Sequence, residues 1–164
     1  MDAGRRAQAT SQELGLDYQG NVVSRGLGKL VPIPIARRAI DVSVSTDRDV
    51  YDRDTEVPIA VELRNRLPVA VSVPTPTQRR WGWTIDGHLE GSEERQFVRR
   101  VPASFPFRAG QSRRFEVIWN GRIRRTGAID ESVVPPAGDY EITAYLATHE
   151  RRYRPSDETT ISIR

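Results

Sequence analysis

From Ile40 onward, apolar and polar residues alternate with a period of two. Ile40, Val42 and Val44 alternate with Asp41, Ser43 and Ser45, and Val57, Ile59, Val61 and Leu63 alternate with Pro58, Ala60, Glu62 and Arg64. That spacing puts one set of side chains on each face and predicts two half-buried strands. Pro58 cannot donate to a ladder, so the second strand should have an edge or a bulge at its start. Val69, Val71 and Val73 continue the pattern until Pro74-Thr75-Pro76 stops it, and Arg80 to Ile85 forms a third strand closed by Asp86-Gly87. Further strands are expected over Gln96 to Val101, over Arg114 to Trp119 ahead of the turn pair Asn120-Gly121, over 140–148 and over 158–164. Residues 122–134 have no readable period.

The clearest signal is Pro135-Pro136-Ala137-Gly138-Asp139-Tyr140, a turn that runs straight into an alternating strand. A tyrosine at such an entrance returns its hydroxyl to upstream backbone as a tyrosine corner, which gives Tyr140 and Gly138 structural roles. Seven to nine short strands without a long helical pattern predict an all-β fold, an immunoglobulin-like antiparallel β-sandwich, over residues 39–164.

Residues 1–38 read differently and are expected to form a basic, mostly irregular N-terminal arm. No period is sustained from Met1 to Gly28, and the apolar run from Leu27 to Ile35 contains Pro32 and Pro34. Those prolines predict an extended, polyproline-like ribbon lying on a surface. The arm also holds the excess charge: residues 1–39 carry six basic and three acidic residues, whereas the remainder is balanced at nineteen of each. All the basic residues except Lys29 are arginine. Docking of the arm on a partner would bring in Arg25 and Lys29, and nucleic acid remains open as a ligand of the arm.

Composition narrows the chemistry. The 164 residues include no cysteine, which removes disulfides, thiolate metal sites and cysteine nucleophiles and fits a reducing, cytoplasmic setting. No apolar run approaches the roughly 20 residues of a spanning helix, so no membrane association is expected. His88 and His149 stand far apart and neither belongs to a nucleophile motif, so no catalytic residue is assigned and the chain is not expected to be an enzyme. The acidic string from Asp47 to Glu56 is interrupted by Arg48 and Arg53 and lacks the order of a calcium loop, so it reads as turn chemistry with solvated ion pairs. Neither a metal nor a cofactor is called for. Arginine pairs such as Arg113-Arg114 and Arg151-Arg152 interleave with aromatic residues in a manner that suits nucleic acid, but acidic residues lie among them and the region is net neutral. Trp81 and Trp83 share one strand face, with the core as their first claim and an interface as the second.

The strand Ile40 to Tyr51, the strand from Val57 to Asn65, the turn and strand Ala109 to Phe115 leading to Trp119-Asn120-Gly121, and Pro136-Ala137-Gly138-Asp139-Tyr140 together resemble the intracellular proteinase inhibitor family of the bacterial BsuPI type. The resemblance covers about residues 39–164. It implies an immunoglobulin-like domain that inhibits a peptidase, and it places no reactive-site residue on this chain. Where such domains often have glycine in the first hairpin turn, this chain has Asp54. The expected function is therefore a non-enzymatic protein-binding module, with a peptidase as the partner implied by the resemblance. The partner surface is expected at Arg79, Arg80, Trp81, Trp83 and His88, with Arg25 and Lys29 from the arm. The alternative is a structural subunit of a larger assembly, a ribonucleoprotein or virion, anchored by that arm.

Overall fold

The computed structural model describes residues 31–89, 99–125, 131–148 and 151–164. One sheet has the order β1-β3-β8, with β1 at Ile40–Thr46, β3 at Val57–Asn65 and β8 at Ser112–Trp119. The facing sheet has five strands in the order β2-β12-β11-β5-β6: Val50–Tyr51, Ser156–Ile163, Gly138–Leu146, Trp81–Ile85 and His88–Leu89. All pairings are antiparallel except β2 with β12, so the chain leaves the first sheet after β1 and crosses to the edge of the second. Two ribbons complete the described strands: β4 (Val71–Thr75) with β7 (Ala103–Phe107), and β9 (Ile123–Arg125) with β10 (Glu131–Val133). The fold is the expected all-β sandwich.

Period-two patterning builds the core. Val57, Ile59, Val61 and Leu63 of β3 are buried against Ile142, Ala144 and Leu146 of β11 and Ile161 and Ile163 of β12. Tyr140 forms the anticipated corner, its hydroxyl donating to the Pro136 carbonyl at 2.7 Å. Burial is the main reason that this hydroxyl titrates above its ordinary value. Gly138 has φ +156°, a conformation that side chains rarely adopt, with open space around the position of a Cβ. Pro58 lies one residue beyond the last β1 pair, Thr46 with Ile59, and pairs with β8 alone, so β3 does have a local edge at its start.

Three features depart from the expectations. Ile33–Arg38 is an α-helix, α1, and not an extended ribbon. Pro32 caps it and Pro34 sits in its first turn, where a missing N–H breaks no helical bond, so both prolines are tolerated. The small residues Ala36 and Ala39, 2% and 4% exposed, seat this turn on the core. β7 went unanticipated because Pro106 interrupts its pattern; in the structure Pro106 stands opposite Ser72 in a two-stranded ribbon. Of the strand expected over Gln96 to Val101, residues 96–98 lie outside the described residues and 99–101 are not strand.

Candidate functional site

β8 is the strand on which the surface chemistry converges. Arg113, Phe115, Val117 and Trp119 point inward while Arg114, Glu116 and Ile118 point out, as period two requires. Among the described residues β8 is hydrogen-bonded as a strand only to β3, so it forms the edge of its sheet. Phe115 and Val117 are therefore only half-buried, although they face the interior. The outward Arg114 and Glu116 approach each other at 3.4 Å, and charge at such positions discourages unwanted strand pairing. Ile118 breaks that rule, being apolar and 58% exposed.

Ile118 stands opposite Pro58, and one step further Glu116 stands opposite Ala60, which in turn faces Ser45 of β1. The short side chains of Ala60 and Ser45 leave a depression of about 660 Å³ on the outer face of this sheet, walled by Pro58 and Ile118. Asp47 lies on its rim. The Tyr51 hydroxyl donates to the Asp47 carboxylate, and this bond, reinforced by Arg48, holds that carboxyl below its ordinary value. The arrangement offers a recess beside a strand edge whose apolar walls are flanked by Arg114, Glu116 and the Asp47 carboxylate, the last paired with Arg48.

The expected partner residues are distributed otherwise. Trp83 is 6% exposed and belongs to the core, where the small Ala144 opposite it makes room for the indole. It offers a partner no surface. Trp81 is half-buried and stacks on Phe115 with centroids 4.8 Å apart, so it supports β8 from beneath. Arg80 is exposed and its guanidinium lies 5.7 Å from the Phe105 centroid; Arg113 covers the same ring at 4.9 Å. The structure thus joins Arg80 and Trp81 to an arginine–aromatic cluster that includes Phe105 and Phe115. Arg79 is half-buried and its backbone N–H donates to the Thr77 hydroxyl. His88 lies in the β5–β6 hairpin, opposite Ile85 at the far end of β5, away from Arg80. Arg25 and Lys29 lie outside the described residues, as does His149, and so does most of the segment on which the assembly alternative turns.

Two carboxylates of the acidic string, Asp47 and Asp54, are engaged by side chains. Besides the Asp47 contacts, Arg122 grips Asp54 through Nε at 2.8 Å and a terminal nitrogen at 3.2 Å, which holds the Asp54 carboxyl below its ordinary value. Asp54 takes the left-handed conformation (φ 60°) that glycine would adopt without strain. Among the described residues no group of three or more His, Cys, Asp or Glu side chains is arranged to hold a metal ion, and no helix is long and apolar enough to cross a membrane.

Sequence reasoning missed the Ala60–Ile118 recess. Each of its walls is ordinary along the chain, and only the register of β3 with β8 brings Pro58 beside Ile118.

A family model described as "Family of unknown function (DUF7974)" matches residues 28–164. No curated protein matches the chain. Among solved structures, the chain is similar to a CARDB domain from Pyrococcus furiosus, with 12% identity, a TM-score of 0.46, and coverage of 76% of this chain and 94% of that one. It is also similar to the sporulation control protein Spo0M of Bacillus subtilis, with 15% identity, a TM-score of 0.45, and coverage of 76% and 49% respectively. Likenesses this distant add nothing about activity.

Proposed function

The chain belongs to the family of unknown function DUF7974, and we propose that it is a non-enzymatic protein-binding module that takes an extended segment of a partner along β8. The observation that supports this reading most directly is the apolar recess between Pro58 and Ile118 beside an eight-residue strand edge. Added strands gain affinity from main-chain hydrogen bonds and specificity from pockets that accept alternate side chains. β8 supplies the first and the recess supplies the second. Trp81, packed under Phe115, keeps the edge from collapsing inward.

A peptidase is the partner that the resemblance to BsuPI-type inhibitors adds to this reading. The test is to titrate the full chain into a panel of serine peptidases and, in parallel, to capture partners on immobilised protein. Each measurement is repeated with Ile118→Arg, which alters an exposed side chain and should leave the unfolding midpoint in place. Inhibition or capture that falls at least tenfold in the variant supports the β8 site. If no peptidase is inhibited, the inhibitor reading fails; if the variant captures the same partners equally well, β8 is not the site.

A further inference from the structure

The positive charge of a domain with balanced totals is not spread evenly. A cleft of about 430 Å³ opens between the start of β1 and the one-turn segment Arg151–Tyr153 that precedes β12. Four arginines line it, Arg38 from the end of α1, Arg66 from just beyond β3, and Arg152 and Arg154 from the segment before β12; Asp41 is the single carboxylate among the lining residues. Asp41 is already engaged, with Arg66 Nε at 3.2 Å, and a terminal nitrogen of Arg66 donates to the Arg38 carbonyl at 2.8 Å. Arg154 is fixed in place, donating to the Thr148 carbonyl at 3.0 Å and lying 4.5 Å from the Tyr145 centroid, with its buried Nε unmet among the described residues. Arg38 and Arg152 are exposed. Folding gains nothing from gathering cations this way, since like charges brought together raise the energy of the compact state.

Tyr153 supplies the second half of the chemistry. Its ring is 58% exposed on the cleft wall, with the Arg152 guanidinium 5.5 Å from its centroid. Arginines beside an exposed aromatic face suit alternating phosphates and flat bases. A phosphorylated peptide would use the arginines but leave the ring without a purpose. We propose that this cleft binds single-stranded nucleic acid, with Arg38 and Arg152 on phosphates, Arg154 as a fixed positive charge behind them, and Tyr153 stacked on a base.

The test uses the full chain and fluorescence anisotropy with labelled oligothymidine and oligouridine at low and moderate salt. Tyr153→Ala should weaken binding by about tenfold, in the range of a lost base stack, while Tyr153→Phe should retain it. The double variant Arg38→Gln with Arg152→Gln should weaken binding and flatten the slope of log affinity against log salt by about 1.4, the value for two phosphate contacts on a single strand. Both replace exposed side chains, so unchanged unfolding midpoints verify that they remain folded. Absence of binding to either oligonucleotide overturns the proposal. So do affinities unchanged in the folded variants, which would place binding elsewhere on the chain. A multiply phosphorylated peptide bound as tightly as the oligonucleotides, and indifferent to Tyr153→Ala, would assign the cleft to phosphoprotein instead. Ile118→Arg should leave oligonucleotide binding intact, which separates this site from the one on β8.

Discussion

Arginine is used in opposite ways at two places in this sandwich. Where the turn before β3 meets the turn after β8, Arg122 is held on every side: its guanidinium grips Asp54, its backbone N–H donates to Asn120 Oδ1 at 3.0 Å, and its carbonyl accepts from Trp119 Nε1 at 2.7 Å. Gly121 lies directly against the backbone of Thr55. In the cleft beside the Arg151–Tyr153 turn, by contrast, four arginines stand with a single lining carboxylate, Asp41, which Arg66 already engages. A paired, well-hydrogen-bonded arginine fastens two loops, whereas arginines gathered without counter-charges leave potential for a ligand to meet. The total charge of the domain reveals neither arrangement.

The contrast can be broken first at the fastened junction. Gly121 has φ +73°, and a Cβ there would fall on the Thr55 carbonyl oxygen, so Gly121→Ala combines backbone strain with a clash against atoms that cannot swing away. It should cost about 2–4 kcal/mol in urea unfolding, the largest effect expected. Gly110→Ala is the control, because φ is +62° there but nothing lies within 4 Å; strain alone should cost about 1 kcal/mol. Equal losses in the two variants would show that the junction is not tightly packed. Tyr140→Phe comes next. It keeps the ring, 6.3 Å from Trp119, and leaves the Pro136 carbonyl without its donor, so the free energy of unfolding should fall by about 1–3 kcal/mol, with a lower midpoint. An unchanged midpoint would remove the corner from the account of stability.

Much of the sandwich was legible because its signals are local. The alternation in β1, β3 and β11, the turn at Asn120-Gly121 and the corner at Tyr140 each depend on residues within a few positions of one another. The short α1 was misread because the same two prolines that exclude a helix interior are admitted in a first turn, and the burial of Ala36 and Ala39 that favours the turn is tertiary. The candidate sites were legible only in part. Trp81 and Arg80 were singled out, but the recess needs the register of Pro58 with Ile118, and the basic cleft joins Arg38 to Arg152 across most of the sequence. Arginine pairs adjacent in sequence do not reveal the cleft, because its cations come from three separate stretches of chain, at Arg38, at Arg66 and at Arg152 with Arg154.

The finest test of the contrast removes charge from the fastened junction without changing its shape. Asparagine tolerates the left-handed conformation of Asp54 and can still accept a hydrogen bond, so Asp54→Asn deletes mainly the ionic part of the Arg122 grip. Arg122 holds the Asp54 carboxyl below the 3.8 of an unperturbed aspartate, so the folded state favours the ionised form more than the unfolded chain does. The stability it contributes is accordingly present in full above the unfolded value and is lost as pH falls through the folded one. Wild type should exceed Asp54→Asn by a small margin near neutral pH, and the gap should close on acidification below about pH 4 and narrow in concentrated salt. The pair is partly exposed, so this effect should be the smallest of the three. A gap that persists unchanged into acid would mean that the Asp54 side chain holds the turn through its shape and hydrogen bonding, and that the charge on Arg122 is no better used there than in the cleft.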